Sequence, residues 1–129
     1  MGDKNSKIVY KELNYKIVGI LFEVYNDLGY GYQEKYYKRA IAKCFDDSQS
    51  EYKRQAPYNL FFRDQIIGKY YLDFLVENKI VLEIKKGNHF SKQKIEQVKG
   101  YVKATKMKLA ILANFTPSGI KTLRILNIK

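Results

Sequence analysis

The sequence predicts an α/β chain of the α+β kind, in which helices flank a mixed central sheet in the order helix, helix, three strands, helix, two strands. Three stretches carry that expectation. Apolar residues recur at helical spacing in two segments before Asp47, two apolar strands joined by a tight polar turn run from Tyr71 to Lys86, and Leu109 to Phe115 is continuously apolar. At 129 residues and 15.2 kDa the chain reads as one domain, large enough for a core without disulfides or a structural metal.

Taken in order, Met1 to Lys7 is polar and is expected to be a flexible leader. From Lys11 to Leu28 the apolar positions Ile17, Ile20, Leu21, Val24, Tyr25 and Leu28 mark an amphipathic helix that Gly29 and Gly31 end. Gln33 to about Asp47 is a second helix, with Tyr36, Tyr37, Ala40, Ile41 and Cys44 or Phe45 as its buried stripe, and Glu34 in the first turn where the helix dipole favours a carboxylate. Glu51 to Phe62 reads as a strand in which Pro57 calls for an edge or a bulge. Arg63–Asp64–Gln65 is a turn, and the strands of Tyr71 to Lys86 follow, separated by a turn at Glu77 to Lys79. Ser91 caps a helix reaching about Lys106, with Ile95, Val98, Tyr101 and Val102 inward. After the Leu109–Phe115 strand and the Thr116–Gly119 turn, Ile120 to Ile128 alternates as an outer strand.

Composition narrows the partners. The 24 Lys and Arg residues against 13 Asp and Glu give a formal charge of +11, and the field of such a surface suits nucleic acid or an anionic membrane. No apolar run is long enough for a membrane helix and no signal-peptide core opens the chain, so membrane association is not expected and a cytoplasmic location is. The single cysteine, Cys44, excludes an internal disulfide and suits a reducing compartment.

The chemistry is sought where the packing pattern fails. Asp73 and Glu83 stand inside apolar strands where Val or Ile would pack, and ionised carboxylates half-buried in a sheet are costly unless paired or bound to a cation. Side chains alternate across a strand, which puts Asp73 with Tyr71 and Leu75 on one face, and Leu72, Phe74 and Val76 on the other. Val81, Glu83 and Lys85 share a face of the next strand, so hairpin pairing brings Asp73 and Glu83 together with Lys85 beside them. Two such carboxylates are hard oxygen ligands for Mg2+, with Mn2+ as a substitute, since magnesium leans on one or two carboxylates plus water and substrate phosphate. Lys85 would then stabilise charge developing at the attacking water or the phosphate. The competing reading is a solvated hairpin face carrying a surface salt bridge.

Phe22–Glu23–Val24 followed by Leu28–Gly29, then Gly31, Glu34 and Tyr37 in the pattern Gly-x-x-Glu-x-x-Tyr, together with Asp73, Glu83 and Lys85, resemble the GxxExxY proteins of the PD-(D/E)XK nuclease superfamily. The resemblance runs from about Tyr15 to Phe115 and implies a restriction-endonuclease-like core with magnesium-dependent phosphodiesterase activity on DNA, or on RNA. By position it assigns metal binding to Asp73 and Glu83, assistance to the nucleophilic water to Lys85, and completion of the site to Glu34. Gln97 and Tyr101 match the Gln-x-x-x-Tyr of the RecB-like branch, one helical turn apart, where they could hold a phosphate or base. Leu72 stands where the motif has Pro.

Plainer readings stand beside these. Glu34 could serve only the helix dipole, Gln97 could be solvated, Tyr101 could belong to the core, and the lone His89 is the usual exposed loop histidine. Lys86, Lys92 and Lys94 begin a basic series that continues along the following helix and is expected to track a phosphate backbone without reading sequence. A binding module with weak catalysis, or a nuclease subunit of a larger repair or defence assembly, is the alternative to an independent nuclease. Cutting both strands of a duplex would call for a homodimer.

Overall fold

The computed structural model of the protein describes residues 9–127; the expected leader Met1–Lys7 and the expected strand end at Ile128 lie outside the described residues. The elements are α1 (Lys11–Leu28), α2 (Glu34–Asp47), β1 (Tyr52–Phe62), β2 (Gln65–Val76), β3 (Ile80–Lys86), α3 (Lys92–Thr105), β4 (Leu109–Thr116) and β5 (Gly119–Leu126), in the order expected. The five strands form one mixed sheet ordered β1-β2-β3-β4-β5, antiparallel throughout except for β3 and β4. That parallel pair requires a crossover, and α3 supplies it.

Helices cover both faces. On one, α1 and α2 bury Ile17, Leu21, Tyr37, Ile41 and Phe45 against Phe74, Val76, Leu82, Ile111 and Phe115. On the other, α3 lays Val98, Tyr101 and Val102 over Val81, Ala110, Leu72 and Ile125. All eight residues of β4 are buried, as a strand covered on both faces requires, including the polar Asn114 and Thr116 within its otherwise apolar run. Ser91 caps α3 by accepting the Lys94 N–H at 3.2 Å. Among the described residues no helix is long and apolar enough to cross a membrane.

Three local expectations change. Tyr36 is 42% exposed rather than part of the α2 stripe, and its ring lies beneath the cations of Lys35 and Arg39; its phenol gains more at a wet, positively charged surface than in the core. The second strand begins at Gln65 and not at Tyr71, because Gly68 and Lys69 interrupt the apolar alternation without interrupting the ladder to β1. Leu72 packs on the α3 face, opposite to Phe74 and Val76. The pleat slips there because the strand irregularity falls at Asp73, whose N–H leaves the ladder for a side chain, and at Gln55 on β1, which takes a positive φ of 49°. Pro57 does lie on an edge strand, as its missing N–H demands, with a register shift farther along between Leu60 and Phe61.

Candidate functional site

The β2–β3 ladder runs only from Val76 opposite Ile80 to Phe74 opposite Leu82. The next step would set Asp73 against Glu83, and there side chains replace the ladder. The Asp73 N–H donates to Glu83 Oε2 at 2.6 Å, and the Ile84 N–H donates to Asp73 Oδ2 at 2.8 Å. Each carboxylate thus has one oxygen fixed by the backbone of the opposing strand. Both are buried, Glu83 at 2% exposure and Asp73 at 9%, so their charge has to be met from inside the protein.

Two lysines meet it from opposite faces of the sheet. Lys38 of α2 places Nζ 2.9 Å from Asp73 Oδ1, and Lys94 of α3 places Nζ 2.9 Å from Glu83 Oε1. Burial raises the Glu83 pKa, the neighbouring Asp73 charge raises it further, and the Lys94 ammonium and the Asp73 N–H oppose the shift only in part. A carboxyl whose folded-state pKa is raised favours folding most below its unfolded pKa, and that contribution is lost as pH rises through the folded value. In chelator-containing buffer, the stability of the native protein relative to Glu83→Gln is therefore expected to fall as pH rises from the ordinary glutamate range toward neutrality. Urea unfolding of both proteins across that range checks it; a difference that stays flat or grows would contradict the buried, proton-favouring environment.

Glu34 and Lys85 lie at the end of β3 that follows Glu83. Glu34 Oε2 accepts the Lys86 N–H at 3.3 Å and stands 3.8 Å from Lys85 Nζ. The turn before Glu34 is held by Tyr37, whose hydroxyl donates to the Gly29 carbonyl at 2.6 Å while its ring stacks on Phe115 with centroids 4.1 Å apart. In the Gly-x-x-Glu-x-x-Tyr pattern the tyrosine is therefore a buried brace, and the glycine, at φ 122°, adopts backbone that a side chain disfavours. Lys86 is drawn toward the same turn, with Nζ 2.8 Å from the Tyr32 carbonyl and 5.0 Å from the Tyr30 ring centroid.

Lys85, Ser91, Gln93, Lys94 and Gln97 line an open cleft of about 190 Å³. Gln97 Oε1 accepts from Lys94 Nζ at 3.3 Å, so one ammonium links the cleft to the buried Glu83. Tyr101 is not on the cleft wall: it is 4% exposed, packs against Tyr70, and burial, with the Glu83 charge next, pushes its phenol up to about 12. Lys92 is exposed at the start of α3. His89 lines a small adjoining pocket of about 60 Å³ with Lys85, Lys94 and Asn114. The structure thus joins Asp73 to Glu83 directly, Lys85 to Glu34, and Lys94 to both Glu83 and Gln97.

Two residues escaped the sequence reading. Lys38 is four residues beyond Glu34 and therefore on the same face of α2, a spacing that could have flagged it. Asn114 interrupts the apolar run of β4, beside Lys85, and donates Nδ2 to the Gly87 carbonyl at 3.0 Å while its buried Oδ1 finds no partner among the described residues. It is the same anomaly, a polar group in a buried strand, that drew attention to Asp73.

No cluster of three or more His, Cys, Asp or Glu side chains suited to a metal occurs among the described residues. The two backbone-anchored carboxylates are oxygen donors of the kind a hard ion takes when it completes its shell with water and phosphate oxygens, and in this structure their second oxygens meet lysines on opposite faces of the sheet.

The family model described as the PD-(D/E)XK nuclease superfamily matches residues 11–124, and the mixed sheet with flanking helices is consistent with the restriction-endonuclease-like fold. A solved structure described as the crystal structure of SSO0001 is 14% identical with a TM-score of 0.48, over 91% of this chain and 78% of that one. No curated protein matches the chain.

Proposed function

This chain belongs to the PD-(D/E)XK nuclease superfamily, and from that premise we propose that it is a divalent-metal-dependent nuclease of the GxxExxY kind, a single catalytic domain that hydrolyses phosphodiester bonds of DNA or RNA. The observation that carries the reading is the interlock of Asp73 and Glu83, in which the backbone fixes one oxygen of each and leaves Asp73 Oδ1 and Glu83 Oε1 facing cations. Nucleases of this superfamily typically use divalent metals. With one carboxylate turned so that both present an oxygen on the same face of the sheet, Asp73 and Glu83 would hold Mg2+, or Mn2+ in its place, and the ion would supply neutralisation of the phosphoryl charge. Lys85 keeps a positive charge on the cleft wall for the attacking water and the developing phosphorane, and Glu34 steadies that ammonium. Lys94 and Gln97 present donors to a phosphate in the cleft, while Lys86 and Lys92 carry neighbouring phosphates without reading bases. Tyr101 supports Lys94 from beneath, its ring centroid 5.8 Å from the ammonium. A duplex cut on both strands would be served by a homodimer.

Lys38 and Lys94 contact the carboxylate oxygens that the divalent ion would claim. Lys38→Met is accordingly expected to tighten divalent-ion binding severalfold and to lower metal-free stability by about 2 kcal/mol, less than for a fully buried pair because both groups keep some exposure. Calorimetric titration with Mn2+ and urea unfolding in chelator check the two halves; unchanged affinity would show that Lys38 does not compete with the ion.

A second reading is favoured by the same lysines: carboxylates already ion-paired to Lys38 and Lys94, under a net charge of +11, suit a binding module with little catalysis. Incubation of the protein with labelled single-stranded, duplex and branched DNA and RNA, with Mg2+, with Mn2+ and with chelator, separates the two. Cutting that requires the metal supports the nuclease. Salt-sensitive binding with no cutting under any condition supports the module.

A further inference from the structure

We propose that the outer part of the β1–β2 hairpin is a wedge that enters nucleic acid where bases are unstacked, which makes a strand junction or flap the preferred substrate; the inference rests on the nuclease reading above. β2 pairs with β3 only over Phe74–Val76, but with β1 all the way back to Gln65. From Asp73 outward the two strands therefore continue as a ribbon with no third strand beside β2 among the described residues. Its base is held by α3, through Tyr70 packed on Tyr101 and the Tyr58 hydroxyl donating to the Ala104 carbonyl. Beyond that hold every residue from Phe61 to Ile67 is exposed.

What is exposed is unusual for a solvated tip. Phe61, Phe62, Ile66 and Ile67 are 57%, 56%, 54% and 59% exposed, around a tight turn in which Arg63 and Asp64 both have positive φ. Phe61 pairs with Ile66 on one face of the ribbon and Phe62 pairs with Gln65 on the other, while Ile67 is the unpaired residue at the register shift beside them. A flat protein surface would cover one face and leave the second wet. A gap between parted bases covers both, and apolar side chains of this kind are the ones that enter base steps.

Charge points to the same occupant. Beyond Asp73 the ribbon carries Arg63 and Lys69 against the single acid Asp64, and neither cation forms an ion pair among the described residues. The Arg63 guanidinium lies 5.0 Å from the Phe62 ring centroid, a cation already seated on the aromatic that would meet a base. Because the ribbon springs from Asp73, the wedge and the carboxylates are rigidly linked. Eight strand steps separate Asp73 from Gln65, about 25 Å at the usual rise, so cleavage should fall within about 7 nucleotides of the branch point on a strand of ordinary rise.

The test is fluorescence anisotropy in chelator, where no hydrolysis occurs, using a three-way DNA junction and a fully paired duplex of equal length, with the native protein and a Phe61→Ser/Phe62→Ser variant whose melting temperature is checked first. The native protein is expected to prefer the junction by tenfold or more. The variant should lose that preference while its duplex affinity, set by phosphate contacts, changes less than twofold. Equal native affinity for the two DNAs overturns the proposal, as does a preference that survives the double substitution. So does a native dimer in sedimentation velocity that the variant abolishes without altering junction binding, since the tip would then be a protein contact. Junction-selective binding without any metal-dependent cutting would defeat the nuclease reading and leave the wedge standing.

Discussion

Asp73→Asn is expected to reduce cleavage by at least about a thousandfold, the several kcal/mol that a bound divalent ion contributes to phosphoryl transfer. The amide keeps an oxygen for the Ile84 N–H, now received by Asp73 Oδ2 at 2.8 Å, so the β2–β3 junction holds its shape. It loses the charge that Asp73 Oδ1 presents at the split. Stability in chelator should shift by no more than about 1 kcal/mol, because the repulsion between Asp73 and Glu83 disappears together with the Lys38 ion pair. Asp73→Ala is a poorer experiment. Simple relief of carboxylate repulsion would make it neutral or stabilising, but beyond the Lys38 ion pair that either substitution removes it strands a buried N–H on Ile84. Single-turnover cleavage beside urea unfolding distinguishes the outcomes: lost cutting with an intact fold is the expected result, and collapse of Asp73→Asn in chelator would make Asp73 a structural residue.

Lys85→Ala is expected to slow cleavage by about a hundredfold, the usual loss when one preorganised cationic or hydrogen-bonding group is taken from a developing oxyanion. Metal affinity should change little, since Lys85 touches neither Asp73 nor Glu83 and its recorded ion partner is Glu34 at 3.8 Å. Half-exposed on the cleft wall, it is free to follow the substrate. Lys85→Arg should recover part of the rate, because charge is what the site needs there and the bulkier fork fits it less well. A variant that loses metal binding along with rate would move Lys85 into the ion's own shell.

How much of this could be read from the sequence depended on whether a residue's cost was local. The helices and strands declared themselves because the apolar stripes of α1 and α3 and the continuous run of β4 have few alternative burials. Asp73 and Glu83 stood out because a carboxylate in an apolar strand is expensive wherever the strand lies. Lys38 gives only the weak sign of its spacing from Glu34, since an ammonium on a helix is ordinary until its partner across the fold is known. Alternation puts Leu72 on the wrong face because it assumes an unbroken ladder, and the ladder breaks at the residue next to it. The projecting ribbon was invisible for a related reason: the alternation of β2 is the same whether or not a third strand lies beside it. Tyr101 shows the reverse case, a motif position that the structure places in the core beneath Lys94.

The central claim, that Asp73, Glu83 and Lys85 act together in metal-dependent hydrolysis, is tested most directly by single-turnover cleavage of one labelled branched DNA by the native protein, Asp73→Asn and Lys85→Ala, in Mg2+ and in chelator. The account predicts cutting by the native protein that chelator abolishes, almost none by Asp73→Asn, and a slow residual rate for Lys85→Ala. Cutting that persists in chelator, or survives both substitutions, would contradict it and place the chemistry elsewhere on the molecule.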